Sequence, residues 1–265
     1  MKKLLIIGNP IEHSLSPKLH NYWFKKNNIN AIYEKIAPKE NEIKDIIENV
    51  RKGEIYGMNV TVPYKQKVIP FLDDMSSLAK DTGSVNTIFK KDGKIIGENT
   101  DVSGFEISLK DSKYSFKNKI VLILGAGGVV PSIIKALKNL EVGKIYLSNR
   151  TQSKAEDLKK IFIDIEIIKW GEFINFDAII NATSLGLHQE ENIEIDFNII
   201  GKDKFFYDVI YNPPITNFLN KAKRYGHKTQ NGKMMFLYQA QKAFNIWHNI
   251  IPKINDKLIN FLYND

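Results

Sequence analysis

The run Ile120-Val-Leu-Ile-Leu124 passes without a polar residue into Gly125-Ala-Gly-Gly128. Five consecutive apolar residues, three of them β-branched, read as a strand buried on both faces. That is the habit of a parallel sheet covered by helices. Val129, Val130, Ile133, Ile134 and Leu137 follow at helical spacing. A strand, a tight glycine turn and a helix amino terminus together make a phosphate site, because backbone N–H groups point outward and glycine lets a pyrophosphate come close. Glycines alone also fit a bare tight turn, and the third glycine of the fingerprint is Val130 here. The strand–turn–helix context is the one the motif requires. It favours a dinucleotide site lined by Gly125, Ala126, Gly127, Gly128 and Val129.

The second strand of this unit is Lys144-Ile-Tyr-Leu-Ser148. An NAD site carries Asp or Glu near its end for the ribose 2′-hydroxyl. This chain has Asn149-Arg150-Thr151, with Lys154 one turn on. Cations and hydrogen-bonding side chains suit a 2′-phosphate, which a carboxylate would repel. A solvated basic helix start is the alternative. NADP is the expected cofactor.

The 265 residues suffice for two modest domains. There is no cysteine, hence no thiolate nucleophile or thiolate metal site. The scattered histidines form no ligand cluster, and no metal is expected. The apolar start Leu4-Leu-Ile-Ile7 ends at Gly8-Asn-Pro10, too short for a signal peptide or a membrane span. The expectation is a soluble, cytoplasmic protein with no membrane contact, monomer or homodimer. The formal charge of +8 comes without a dense basic block, which argues against nucleic acid. A positive field suits an anionic substrate and cofactor.

Along the chain, Leu4–Ile7 reads as a strand, followed by a helix after Ser14-Leu-Ser16-Pro17. Ser16 fits an N-cap with Pro17 at the first helical position. For Ser16, capping and binding a carboxylate stand level; Ser14, with no capping duty, leans to binding. Strands over 31–35 and 56–60 flank a helix over 42–50. The third strand ends in Asn59-Val-Thr61-Val-Pro63-Tyr-Lys65, and ligands of open α/β sheets sit at the carboxyl ends of strands. Residues 76–82 read as helix. The Asp92-Gly93 signal closes a hairpin that ends at Asn99-Thr100-Asp101. Asp101 is either an N-cap or a catalytic polar group. Strands over 165–168, 177–181 and 205–209 follow, the second ending in the small-residue loop Ala182-Thr183-Ser184. Helices read over 216–225 and 232–247. Gln239 and Gln241 on the last helix cannot share one face, so one of them faces a polar ligand or partner.

These motifs, in this order, resemble the shikimate dehydrogenase family: Gly8-Asn-Pro10 with His13-Ser14-x-Ser16-Pro17, Asn59-Val-Thr-Val-Pro63 with Lys65, Val85-Asn86-Thr87, Asn99-Thr100-Asp101, Gly125-Ala-Gly-Gly128, Asn149-Arg150-Thr151, Asn181-Ala-Thr183-Ser184, Tyr211-Asn-Pro213 and the glutamine helix. The resemblance spans nearly the whole chain. It implies a two-domain α/β fold, with residues 1–101 and 238–265 binding substrate and residues 102–237 forming a Rossmann-type NADP domain, and a cleft between the domains. It implies a catalytic pair, Lys65 and Asp101. Ser14, Ser16, Thr61, Lys65, Asn86, Asp101, Tyr211 and Gln239 would line the substrate. Thr183, Val209 and Gly232 would join Gly125–Val129, Asn149, Arg150, Thr151 and Lys154 around the cofactor. The implied reaction is NADPH-dependent reduction of 3-dehydroshikimate to shikimate; an NAD-preferring quinate/shikimate dehydrogenase is the alternative. Val102, Val129-Val130-Pro131 and Leu187 depart from the family pattern. Ser77 stands where many members carry an acidic residue, and no role passes to it.

Overall fold

The computed structural model describes residues 1–188 and 190–263. The chain divides into two compact units, Met1–Ser103 with Leu237–Asp265, and Gly104–Phe236.

The first unit opens with β1 (Lys2–Ile7), α1 (Ser16–Lys26), β2 (Ala31–Ile36), α2 (Ile43–Lys52) and β3 (Gly57–Val60). β1 lies parallel to both β2 and β3. Then come β4 (Asp74–Met75), α3 (Ser77–Thr82), β5 (Thr87–Lys91), β6 (Lys94–Glu98) and α4 (Thr100–Asp111), which runs on past the unit boundary. The sheet order is β2-β1-β3-β5-β6-β4. β5 is antiparallel to β3 and to β6, so the βαβ start is extended by a hairpin into a mixed sheet. Asp92 and Gly93 at its tip both have positive φ, 50° and 78°, as a two-residue hairpin turn requires.

The second unit contains β7 (Ile120–Leu124), α5 (Val130–Asn139), β8 (Lys144–Ser148), α6 (Gln152–Ile161), β9 (Glu166–Ile168), β10 (Ala178–Asn181), β11 (Phe205–Asp208), α7 (Asn217–Arg224) and β12 (Lys228–Gln230). Every neighbouring pair in its sheet, order β12-β11-β10-β7-β8-β9, is parallel. This is a Rossmann-type sheet. The order reverses between β7 and β10, the crevice where such sheets take ligands. α8 (Lys233–His248) and α9 (Asp256–Tyr263) complete the chain. No described helix is long and apolar enough to cross a membrane.

In the first unit the carboxyl-terminal residues close an aromatic core. Trp247 presses on β3 so closely that a Cβ at Gly57 would lie 2.3 Å from its Nε1. That nitrogen donates to the Ile88 carbonyl. His20 is fully buried, stacks on Tyr33 at 4.3 Å and has no hydrogen-bond partner at either ring nitrogen among the described residues. Burial, with His248 nearby, pulls its pKa down to about 3. Burial, then Lys2, pulls His248 down to about 4. Above pH ~6.5 both are neutral folded or unfolded. Below it the unfolded chain takes up protons the native state refuses, so stability is lost as pH falls. For His20 alone the loss between pH 7 and pH 5 is about 2 kcal/mol. Urea unfolding followed by tryptophan fluorescence should show a steeper loss over that range for the native chain than for His20→Phe; equal slopes would contradict a neutral buried imidazole.

Candidate active site

In the first unit the polar side chains gather beyond the carboxyl end of β3. Tyr64 is buried and its hydroxyl donates to the Pro38 carbonyl. The Lys65 carbonyl accepts the Val85 N–H. With its backbone anchored, Lys65 is 7% exposed and Asp101 6%. Lys65 Nζ lies 2.5 Å from Asp101 Oδ2. Asp101 Oδ1 accepts from Asn86 Nδ2 at 2.9 Å, which also reaches Gln239 Oε1 at 3.4 Å. A buried ion pair is expensive to desolvate unless its remaining valences are met. Here Asn86 meets the carboxylate, while Asp101 is the one protein acceptor of the ammonium among the described residues. Two of its three N–H donors are therefore open to a ligand.

Asp101 is not the cap of α4. Asn99 Oδ1 accepts the N–H groups of Asp101 and Val102, and its Nδ2 is fixed by Thr82 and the Ser84 carbonyl. The Asp101 carboxylate is thereby freed for Lys65. Ser16 is likewise not the cap of α1. Leu15 occupies the N-cap position of α1 and Ser16 is its first residue; Ser14 Oγ accepts the Ser16 N–H at 3.3 Å. A hydroxyl that accepts still has its own proton to give, so both serines keep donors at the amino terminus of an 11-residue helix, a position that favours anions. The Thr61 N–H donates to Ile7, and its side-chain hydroxyl has no partner among the described residues. Gln241 donates to the Pro252 carbonyl and serves the fold, leaving Gln239 as the glutamine beside Asn86. Asn59 points inward, held by Tyr33, Asn86 and Thr87.

In the second unit Gly125 has φ +107°, and a Cβ there would lie 2.7 Å from the Ala182 carbonyl oxygen. Only glycine fits. Around Gly127 a Cβ would meet nothing closer than 4.0 Å, and Ala126, Gly127, Gly128 and Val129 are exposed or half-buried, so the cradle is open before the start of α5. Val130, at the third fingerprint position, is fully buried and packs into the core without obstructing the turn. Beyond β8, Arg150, Thr151 and Lys154 are exposed, and among the described residues no carboxylate pairs with either cation. Asn149 Nδ2 gives one of its two protons to the Thr151 carbonyl and so shapes the turn that carries the two cations. An open glycine cradle at the sheet's switch point, followed by two uncompensated cations, fits a dinucleotide with an added phosphate.

Residues 6–88 match the family described as shikimate dehydrogenase substrate binding domain, and residues 108–209 match that described as shikimate / quinate 5-dehydrogenase. Shikimate dehydrogenase (NADP(+)) of Pelagibacter ubique strain HTCC1062 is 62% identical over 261 residues, 98% of each chain. The chain belongs to the shikimate dehydrogenase family. Among solved structures, shikimate dehydrogenase from Aquifex aeolicus superposes with a TM-score of 0.91 at 35% identity, over 100% of this chain and 98% of that one. The Thermus thermophilus enzyme in complex with NADP(H) and shikimate gives 0.87 at 28% identity, over 99% and 97%.

Four further expected site residues of the second unit, Thr183, Val209, Tyr211 and Gly232, lie in the segments that follow β10, β11 and β12. The Thr183 hydroxyl is committed to Asn181 Oδ1 at 2.7 Å, while its methyl faces Gly125. A Cβ at Gly232 would lie 2.1 Å from the Val209 carbonyl oxygen, so Gly232 is required by contact. Tyr211 stacks on Phe236 with centroids 4.5 Å apart. Val102, a departure from the family pattern, is buried; Leu187, another, is exposed.

Asp208 is a residue that sequence reasoning misses. It is fully buried at the end of β11, and accepts from Asn181 Nδ2, the Ile210 N–H and Thr216 Oγ1. Burial pushes its pKa up to about 6, against those three hydrogen bonds. It ties together the loops after β10 and β11 and the cap of α7. A lone Asp inside the apolar run Phe205-Phe-Tyr-Asp-Val-Ile210 is the available signal.

Proposed function

We propose that the protein is an NADP-dependent shikimate dehydrogenase, an oxidoreductase acting on a CH–OH group. It reduces 3-dehydroshikimate reversibly to shikimate in the pathway to chorismate and the aromatic amino acids. The observation that carries this reading is the buried Lys65–Asp101 pair at 2.5 Å, with Asn86 on the second carboxylate oxygen. Residues 1–101 with 238–265 take the substrate, and residues 102–237 the cofactor.

NADPH supplies the hydride when bound. Reduction of a ketone leaves an alkoxide that needs a proton at once. Lys65 Nζ gives it, with the oxygen within about 2.6–3.2 Å of the ammonium. Asp101 Oδ2 fixes the ammonium and accepts from a ring hydroxyl. In the oxidising direction the neutral Lys65 amine takes the hydroxyl proton and becomes the ammonium again. Ser14 and Ser16 donate to the substrate carboxylate and so set which ring carbon reacts. Thr61, Asn86, Gln239 and Tyr211 hold the remaining hydroxyls. Arg150 and Lys154, with Asn149 and Thr151, hold the 2′-phosphate. Gly125–Val129 would cradle the pyrophosphate, Val209 and Gly232 would lie on the nicotinamide side, and Thr183 would join them around the cofactor.

Mixing the protein with shikimate and NADP⁺ should raise NADPH absorbance. Replacing shikimate by quinate, or NADP⁺ by NAD⁺, should lower kcat/KM by about tenfold or more, the cost of one mismatched polar contact. Faster turnover of quinate with NAD⁺ would instead support the quinate/shikimate reading.

A further inference from the structure

Two amides near the ion pair are oriented by partners that allow no choice. Asn86 Oδ1 accepts the backbone N–H of Thr100 at 2.7 Å, so Nδ2 must face Asp101 Oδ1. Asn59 Nδ2 donates to the backbone carbonyl of Asn86 at 3.0 Å, so its Oδ1 is left for the Tyr33 hydroxyl at 2.5 Å, which must donate. Thr87 stands between them. Its Oγ1 accepts from Asn59 Nδ2 at 3.0 Å and lies 3.1 Å from Asn86 Oδ1, to which it can give its proton. The Thr100 hydroxyl, 3.3 Å away, receives from Asn86 Nδ2 at 2.8 Å and shares Asn86 Oδ1 with Thr87, also at 3.1 Å. Tyr33, Asn59, Thr87 and Asn86 are all buried, on β2, on β3, at the start of β5 and just before it. Burial pushes the Tyr33 hydroxyl well above its ordinary pKa, so it stays a donor.

We propose that Tyr33, Asn59 and Thr87 form a one-way hydrogen-bond chain, each donating to the next, that feeds the Asn86 amide already oriented by Thr100 and through it polarises the Asp101 carboxylate against Lys65. Thr87 is then a positioning residue for proton transfer, although it touches neither member of the ion pair. The apolar alternative at this depth, a valine of the same shape, would preserve the packing of β5 and lose the direction of the chain. Hydrogen bonds in series polarise one another in a low-dielectric interior, so a break two members away reaches the carboxylate. This inference rests on the dehydrogenase reading above.

The test contrasts shape with hydroxyl in the full-length protein. Thr87→Val keeps the shape and removes the hydroxyl; Thr87→Ser does the reverse. Losing one hydrogen bond in a chain that ends on a charge should lower kcat of Thr87→Val by about tenfold, leaving KM for NADP⁺ within about twofold. Thr87→Ser should stay within about threefold of the native kcat, and Tyr33→Phe should fall by about threefold to tenfold. A merely structural threonine predicts the opposite rank, with Ser the worse variant because it opens a cavity. The chain is overturned if Thr87→Val turns over as fast as the native protein, or if Ser loses as much as Val. Should Thr87→Val not fold, Tyr33→Phe decides, and an unchanged kcat there overturns it. The native protein and Lys65→Ala in the same assay separate the two failures. An inactive native protein sinks the assigned reaction, whereas an active one with a fully active Thr87→Val sinks only the chain.

Discussion

Lys65→Ala should lower kcat by roughly 10²–10⁴-fold, the range for a lost general acid, while shikimate still binds. The ammonium is the one cation paired with the Asp101 carboxylate among the described residues. Ser14, Ser16 and Thr61, which hold the substrate in this account, are untouched by the change. Binding and turnover should therefore separate: isothermal titration with shikimate should give a Kd within about tenfold of the native value, no more than one hydrogen bond's worth. The variant also leaves Asp101 as a buried carboxylate without its cation, and breaking a buried pair costs about 3–5 kcal/mol. A lower melting temperature should accompany the loss of rate. Near-native turnover in a folded variant would remove Lys65 from the chemistry.

Arg150→Ala should weaken NADPH by about 10–100-fold and NADH by less than about twofold, as expected when a charge-assisted phosphate contact is lost. Arg150 is exposed at the end of β8 with no carboxylate paired to it among the described residues, so its removal disturbs no ion pair of the fold. Quenching of protein fluorescence on titration with each reduced cofactor reads the two affinities directly, without turnover. Equal weakening of both would mean that Arg150 contacts what the cofactors share, and the 2′-phosphate assignment would fall.

The parts of the fold that were legible share a physical cause. β7 and β8 begin and end at the residues the sequence indicates; for β7 the reason is that a strand buried on both faces is an uninterrupted apolar run bounded by a polar residue or a glycine. The Asp92-Gly93 hairpin was equally plain, since its turn needs positive φ at two positions. β4 and β12, of two and three residues, are too short to carry a period. α9 starts at a cap, Asn255 Oδ1 accepting the Leu258 N–H, and is held by packing, with the Phe261 ring centroid 5.0 Å from that of Tyr22 on α1.

At the site, residue types were legible and assignments among neighbours were not. Asn99, Thr100 and Asp101 can each cap a helix by chemistry. That Asn99 does so depends on Thr82 and the Ser84 carbonyl, which lie 17 and 15 residues away. Ser14 and Ser16 differ by two positions, and an amino-terminal boundary is uncertain by about that much from sequence. Gln239 and Gln241 were separable only by what each face meets: Asn86 for one, Pro252 for the other. Asp208 depends on Asn181, opposite it at the end of the neighbouring parallel strand, and on Thr216, the N-cap of α7. Long-range hydrogen bonds of this kind have no period to read.

The central claim is that Lys65 and Asp101 act as one device. Groups that work as a unit lose their effect together, so their single-variant costs do not multiply. The decisive measurement is kcat for Lys65→Ala, Asp101→Ala and the double variant, each folded, with shikimate and NADP⁺. The account predicts that the double variant is no more than about tenfold slower than the slower single variant. A double variant slowed by the full product of the two single losses would show two independent residues and contradict it.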